Sequence, residues 1–145
     1  MKDIKQTWFN RPTIVYETPD EIFLPLNDEF GFTLDVCALD QNAKCKKFFS
    51  PEDDGLVQDW SKDVCWMNPP FGRTMKKWVK KAYTEWKNGA TVVCLLPART
   101  NTAWWHDWVM QGDVRFIRGE VTFKGQANGL WMPMSIVVFN HKESE

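Results

Sequence analysis

The sequence predicts an α/β fold: one mostly parallel sheet with an antiparallel closing strand and helices on both faces. Three observations carry that prediction. The first is a strand-helix-strand unit, made of an apolar run from Val64 to Met67, a patterned helix from about Thr74, and a continuous apolar run from Ala90 to Leu96. Such a unit pairs its strands in parallel through a right-handed crossover. The second is Phe32 to Ala38, where Leu34, Val36, Cys37 and Ala38 suit a strand buried on both faces. The third is the group Val114 to Ile117, Val121 to Phe123 and Ser135 to Phe139, punctuated by Gly112, Gly119 and Gly125. These read as closing strands.

Composition bounds the rest. A chain of 145 residues predicts a single domain, 1–145, with a central core and no room for a separate target-recognition domain. The 43% hydrophobic and 26% charged fractions are those of a soluble globular protein and exclude disorder. Nine tryptophans and ten phenylalanines serve packing, base stacking or both. A net charge of −1 excludes nucleic-acid binding through overall charge but leaves room for a local basic face. No apolar stretch reaches membrane-spanning length, and Met1 to Asn10 lacks signal-peptide architecture, so a cytoplasmic protein is expected. Cys37, Cys45, Cys65 and Cys94 form no C-x-x-C pair, which predicts reduced thiols and no metal site.

Along the chain, residues 1–16 show no periodicity and read as an N-terminal arm or edge strand ending in Thr13-Ile14-Val15-Tyr16. Thr18-Pro19-Asp20-Glu21 signals a helix start, with Thr18 as N-cap, Pro19 at the first helical position and Glu21 closing a capping box. Ile22, Phe23, Leu26 and Phe30 share one face, Pro25 predicts a kink or a second start, and Gly31 ends the helix. Asp35 sits inside the first strand, where a buried carboxylate needs a partner: the ammonium of a bound amino-acid moiety, or the backbone of a neighbouring turn. Lys44, Lys46 and Lys47 precede Phe48-Phe49, and Ser50 to Gly55 is an acidic turn, either solvated or an acceptor for ribose hydroxyls.

In the central helix, Met75, Trp78, Val79, Ala82, Tyr83 and Trp86 form an apolar stripe, with Lys76, Lys77, Lys80 and Lys81 on the solvated side. Thr74 is the expected N-cap, Asn88-Gly89 the stop, and Pro97 the end of the next strand. A short helix from Thr102 to Met110 follows, in which Trp104, Trp105 and Trp108 are packing residues. His106 and His141 belong to no metal-ligand pattern. Residues 125–133, with Gln126, Asn128 and Trp131, form a polar and aromatic loop, which with Arg115, Arg118 and Lys124 is the expected DNA-facing region; Arg99 suits a phosphate or an acidic neighbour.

The chemistry concentrates at Asn68-Pro69-Pro70-Phe71, on the turn leaving the central strand. Ligands bind at that end of parallel strands. Two prolines fix the backbone and remove two amide donors, leaving carbonyls free to accept. An exocyclic amino group on a base is a poor nucleophile, because its lone pair is delocalised into the ring. If the Asn68 side-chain oxygen and the Pro69 carbonyl accept its two hydrogens, the nitrogen moves towards tetrahedral geometry and aims its lone pair at an electrophile. Phe71 can stack on a base extruded from a duplex. A rigid turn with Asn68 as helix cap fits the same four residues.

The tetrapeptide resembles the catalytic (D/N/S)PP(Y/F) motif of S-adenosylmethionine-dependent amino-methyltransferases. Thr18-Pro19, Leu34-Asp35-Val36-Cys37-Ala38, Asn42-Ala43-Lys44-Cys45, Asp54-Gly55-Leu56 and residues 90–100 are similar to the phage and prophage DNA N6-adenine methyltransferases, the Dam-like family, from about Thr18 to Phe139. That resemblance implies a Rossmann-like methyltransferase sheet, S-adenosyl-L-methionine as cofactor, and double-stranded DNA as partner. It implies Asn68, Pro69, Pro70 and Phe71 as catalytic residues. It also implies that Thr18, Pro19, Asp35, Cys37, Asp54 and Asp59 bind the cofactor, with Asp59-Trp60 similar to an acidic-aromatic pair that meets its adenine. The glycine-rich loop of many methyltransferases is absent; Leu39-Asp40-Gln41-Asn42 stands in its place. The same tetrapeptide suits RNA or a protein glutamine, and a non-catalytic binding module on this fold is the alternative to an enzyme.

Overall fold

The computed structural model describes residues 16–141, so the expected N-terminal arm lies outside it except for Tyr16. Helix α1 (Asp20–Phe30) carries Asp20 and Glu21 in its first turn, where their charge complements the helix dipole. Gly31 ends it in the left-handed conformation at φ 67°, donating its N–H to the Asn27 carbonyl. Thr18 is not the cap; Pro19 holds that position without a side-chain bond, and Thr18 is buried instead. The helix continues through Pro25. The carbonyl that Pro25 cannot serve is that of Glu21, and both residues are exposed to solvent.

Strands β1 (Leu34–Asp35), β2 (Val64–Met67), β3 (Thr91–Pro97), β4 (Asp113–Phe116) and β5 (Met134–Phe139) form one sheet in the order β1-β2-β3-β5-β4. The pairs β1-β2 and β2-β3 are parallel, whereas β5 is antiparallel to β3 and to β4. Only β5 therefore runs against the other strands, as a mostly parallel sheet with an antiparallel closing strand requires. The first strand is shorter than the expected 32–38, and on its open side Phe49 donates to the Asp35 carbonyl and Ala38 to that of Phe49. Residues 121–123 supply only an isolated bridge between Val121 and Leu130. Pro97 closes β3 as its last residue, opposite Met134.

Side chains alternate across the sheet. Leu34, Cys65, Met67, Val92, Cys94 and Leu96 face helix α2 (Met75–Lys87), which sets Met75, Trp78, Val79 and Ala82 against them. Helix α3 (Ala103–Asp107) adds Trp105 on that side, with Trp104 and Trp108 partly buried. On the other face Trp66, Val93, Leu95, Ile136 and Val138 meet Phe23 and Leu26 of α1. Trp60, Trp66 and Trp78 are fully buried; each such side chain stabilises the fold by roughly 4 kcal/mol of apolar transfer.

Several helix details depart from the sequence pattern. Thr74 precedes α2 but makes no side-chain cap bond. Lys81 leaves the solvated face: its Nζ lies 2.7 Å from Glu85 Oε1 and donates to the Gln58 carbonyl. Glu85 is itself buried and accepts from Trp60 N at 3.2 Å. The third helix is capped by Thr102, whose hydroxyl accepts from Trp105 N, and beyond it only a 3-10 turn, Val109–Gln111, continues towards the expected end. No helix among the described residues is long and apolar enough to cross a membrane.

Candidate active site

The Asn68–Phe71 turn leaves β2 at the carboxyl edge of the parallel strands. Met67 and Pro69 are buried, Asn68, Pro70 and Phe71 are half-buried, and Gly72 at φ 121° turns the chain towards α2. Asn68 is two residues beyond Trp66, so it falls on the sheet face that α1 covers. Its amide nitrogen donates to the Tyr16 carbonyl at 2.6 Å and to Thr18 Oγ1 at 3.1 Å. Its Oδ1 is shielded from solvent and has no hydrogen-bond partner among the described residues. A buried acceptor left unbonded is expensive. The prolines carry no N–H, and among the described residues no donor reaches the Pro69 carbonyl. The Phe71 ring stacks on Tyr16 at 4.8 Å between centroids and 25° between planes. Phe123 meets both edge-on, at 5.1 Å from Tyr16 and 6.3 Å from Phe71.

Asp35 pairs in register with Trp66, which places it on the same face and towards the same edge as Asn68. It is 3% exposed. One carboxylate oxygen accepts from Lys44 N at 3.0 Å and the other from Cys37 N at 3.3 Å. Burial pushes its pKa up to about 6, against the two backbone bonds, and no side-chain cation among the described residues forms a salt bridge with it. Asp35 thus organises the loop that replaces a glycine-rich turn, and each oxygen keeps a further lone pair. The Cys37 thiol is held protonated by burial, with the neighbouring Asp35 charge adding to the shift.

Asp54 joins this edge through its neighbour. A Cβ on Gly55 would lie 2.2 Å from the Val36 carbonyl, so only glycine lets the acidic turn pack against the end of β1. Asp54 adopts a left-handed conformation at φ 57° and caps the following turn by accepting from Leu56 N. Asp59 is elsewhere. It is exposed and accepts from Ser61 N at 2.8 Å, just before β2 begins, and the Ser61 bonds hold its carboxyl below the usual range. That is the amino edge of the sheet, opposite Asn68. Trp60 beside it is fully buried, bonded to the Gly55 carbonyl and stacked on Trp78.

The expected DNA-facing cations divide. Arg115 forms a bidentate pair with Glu29 at 2.8 and 2.7 Å, and Lys124 pairs with Asp20 at 2.7 Å and Glu17 at 3.7 Å. Arg99 and Arg118 are exposed. Residues 125–133 lie at the carboxyl edge, anchored by Leu130 N to the Val121 carbonyl and Ala98 N to the Pro133 carbonyl, with Trp131 77% exposed. The His106 and His141 rings bond to the Thr100 and Trp86 carbonyls. Tyr16 and Phe123 were not singled out as site residues from the sequence. Tyr16 stands two positions before Thr18-Pro19, and no periodicity marks it.

A family model described as DNA N-6-adenine-methyltransferase (Dam) matches residues 8–141. The chain belongs to this family. A DNA N-6-adenine-methyltransferase of Haemophilus phage HP1 is 29% identical over 139 residues, covering 88% of this chain and 79% of the relative. One from Escherichia phage T1 is 36% identical over 92 residues, covering 62% of this chain but 38% of that longer protein. Membership in the Dam family makes the chain an adenine-specific DNA methyltransferase, an enzyme that draws on a methyl donor and acts on DNA. The single mixed sheet with helices on both faces is consistent with the Rossmann-like methyltransferase fold.

Proposed function

We propose that the chain transfers a methyl group from S-adenosyl-L-methionine to N6 of adenine in double-stranded DNA, acting on a base turned out of the duplex onto the Asn68–Phe71 turn. The observation that carries this reading is the unpartnered Asn68 Oδ1. The amide nitrogen is already committed to Tyr16 and Thr18, so the oxygen is left as a pure acceptor shielded from solvent. An amino group with two N–H bonds matches that oxygen together with the Pro69 carbonyl. In a site shielded from water such acceptors act more strongly than in solution and need no reorganisation as positive charge develops on the nitrogen. Phe71, backed by Tyr16, extends the stack to the purine.

The donor set also fits the cofactor. Asp35 is a buried carboxylate on the same face, influenced by the Lys44 charge but in no salt bridge among the described residues and with lone pairs to spare, which suits the ammonium of an amino-acid moiety. Thr18 bonds to Asn68 and Cys37 N to Asp35, and this reading assigns them to the cofactor together with Pro19 and with Asp54, whose neighbour Gly55 packs on the end of β1, for ribose hydroxyls. When bound, S-adenosylmethionine supplies an electrophilic methyl on a sulfonium. Asp59 lies shortly before β2 begins and bonds to Ser61, so its part in holding the cofactor requires a contact separate from Asn68. Asn68→Ala tests the central role. Digestion of incubated DNA with methylation-sensitive nucleases should show turnover lost by at least about a hundredfold, while calorimetry shows cofactor affinity retained; undiminished turnover refutes the assignment.

A further inference from the structure

We infer that Tyr16 and Thr18 are positioning residues for the reaction: the segment they belong to fixes which way the Asn68 amide points and holds the Phe71 ring. This rests on the proposed role of Asn68 and adds a cause for it. A side-chain amide is nearly symmetric in shape, so its two orientations differ only in the bonds they make. The Tyr16 carbonyl, 2.6 Å from Asn68 Nδ2, can accept and never donate. Flipping the amide would set Oδ1 against that carbonyl, oxygen to oxygen, while the Thr18 hydroxyl at 3.1 Å, able to accept or donate, anchors the amide that the carbonyl orients. The orientation that leaves Oδ1 free is thus imposed from outside the turn, by residues 52 and 50 positions earlier in the chain.

The same segment is pinned by its ring. Tyr16 lies between Phe71 and Phe123, stacked on the first at 4.8 Å and edge-on to the second at 5.1 Å. Glu17 bridges Lys124 through the backbone, Lys124 N donating to the Glu17 carbonyl at 2.9 Å. Thr18 is 1% exposed. Each contact fixes the carbonyl that fixes the amide. The arrangement also accounts for asparagine rather than aspartate at this position, since a carboxylate would have no hydrogen for the Tyr16 carbonyl.

The test uses the full chain with Thr18→Val, Thr18→Ser, Tyr16→Ala and Tyr16→Phe. Thr18→Val keeps the shape and removes one acceptor: kcat should fall about tenfold, the worth of one hydrogen bond, with both KM values within about twofold of wild type. Thr18→Ser should restore most of the loss. Tyr16→Ala should lower kcat similarly, and Tyr16→Phe should recover it. In ligand-free protein, one Asn68 side-chain amide proton should move upfield in the NMR spectrum of Thr18→Val. A raised KM for the methyl donor at unchanged kcat, no rescue by serine, or Asn68 amide resonances identical to wild type would each overturn the positioning role. If Asn68→Ala itself retains turnover, the catalytic reading fails; if it is inactive while Thr18→Val and Tyr16→Ala are normal, only the positioning role fails.

Discussion

Asp35 makes the stability of the ligand-free protein fall as pH rises, which is the reverse of the behaviour of most carboxylates. Burial raises its pKa from 3.8 to about 6, so at neutral pH the ionised group costs about 3 kcal/mol, at 1.36 kcal/mol per unit. Its favourable contribution is complete below the unfolded value and is lost as pH climbs through the folded one. Between pH 5 and 7.5 the loss is about 1.4 kcal/mol, or about 4 °C in Tm for a chain of this length. Asp20, Glu29 and Asp59 are shifted downwards, by the Lys124, Arg115 and Ser61 hydrogen bonds respectively. Their contributions are lost only on acidification below the ordinary carboxylate range, so they add no slope in this window.

The assay is thermal unfolding of wild type and Asp35→Asn at both pH values. The wild type should melt lower at pH 7.5, and the variant should lose that difference. A cationic amino-acid end placed beside the carboxylate favours its ionised form, so affinity for S-adenosylmethionine should be about tenfold weaker at pH 5 than at pH 7.5, where ionisation is complete. Equal pH slopes in the two proteins would refute the burial argument. Affinity that does not weaken at pH 5 would refute the pairing of Asp35 with the ligand.

Two further outcomes follow from the geometry. Gly55→Ala drives a methyl group into the Val36 carbonyl, which should destabilise the protein by about 1–3 kcal/mol, read from urea midpoints, and weaken donor binding by shifting Asp54; an unchanged midpoint would show that the acidic turn has room to move. Arg115→Ala breaks an exposed bidentate pair with Glu29 and should cost under about 1 kcal/mol, leaving the salt dependence of DNA binding unaltered. A shallower slope with salt would show that Arg115 reaches phosphate instead.

Helix α2 was legible because Met75, Trp78, Val79 and Ala82 recur at helical spacing, and β3 because its residues are buried on both faces. Glu85 broke the pattern: its neighbours Trp60 and Lys81 satisfy a buried carboxylate, and nothing local announces that pairing. Thr18 was read as a helix cap because Thr-Pro-x-Glu is the usual signature, yet the helix starts one residue later, with Pro19 at the cap position, and the Thr18 hydroxyl meets Asn68 instead. Asp59 was placed by likeness to a motif, and the chain direction through Ser61 into β2 carries it to the other edge.

By itself, the sequence determined the parallel strand-helix-strand unit and the position of Asn68-Pro69-Pro70-Phe71 at its carboxyl edge, because periodicity and proline act over a few residues. Only the tertiary structure decided what surrounds Asn68. An amide has no preferred face until acceptors approach it, and the Tyr16 carbonyl and the Thr18 hydroxyl come from another part of the chain. The free oxygen, on which the chemistry depends, is a product of that long-range contact.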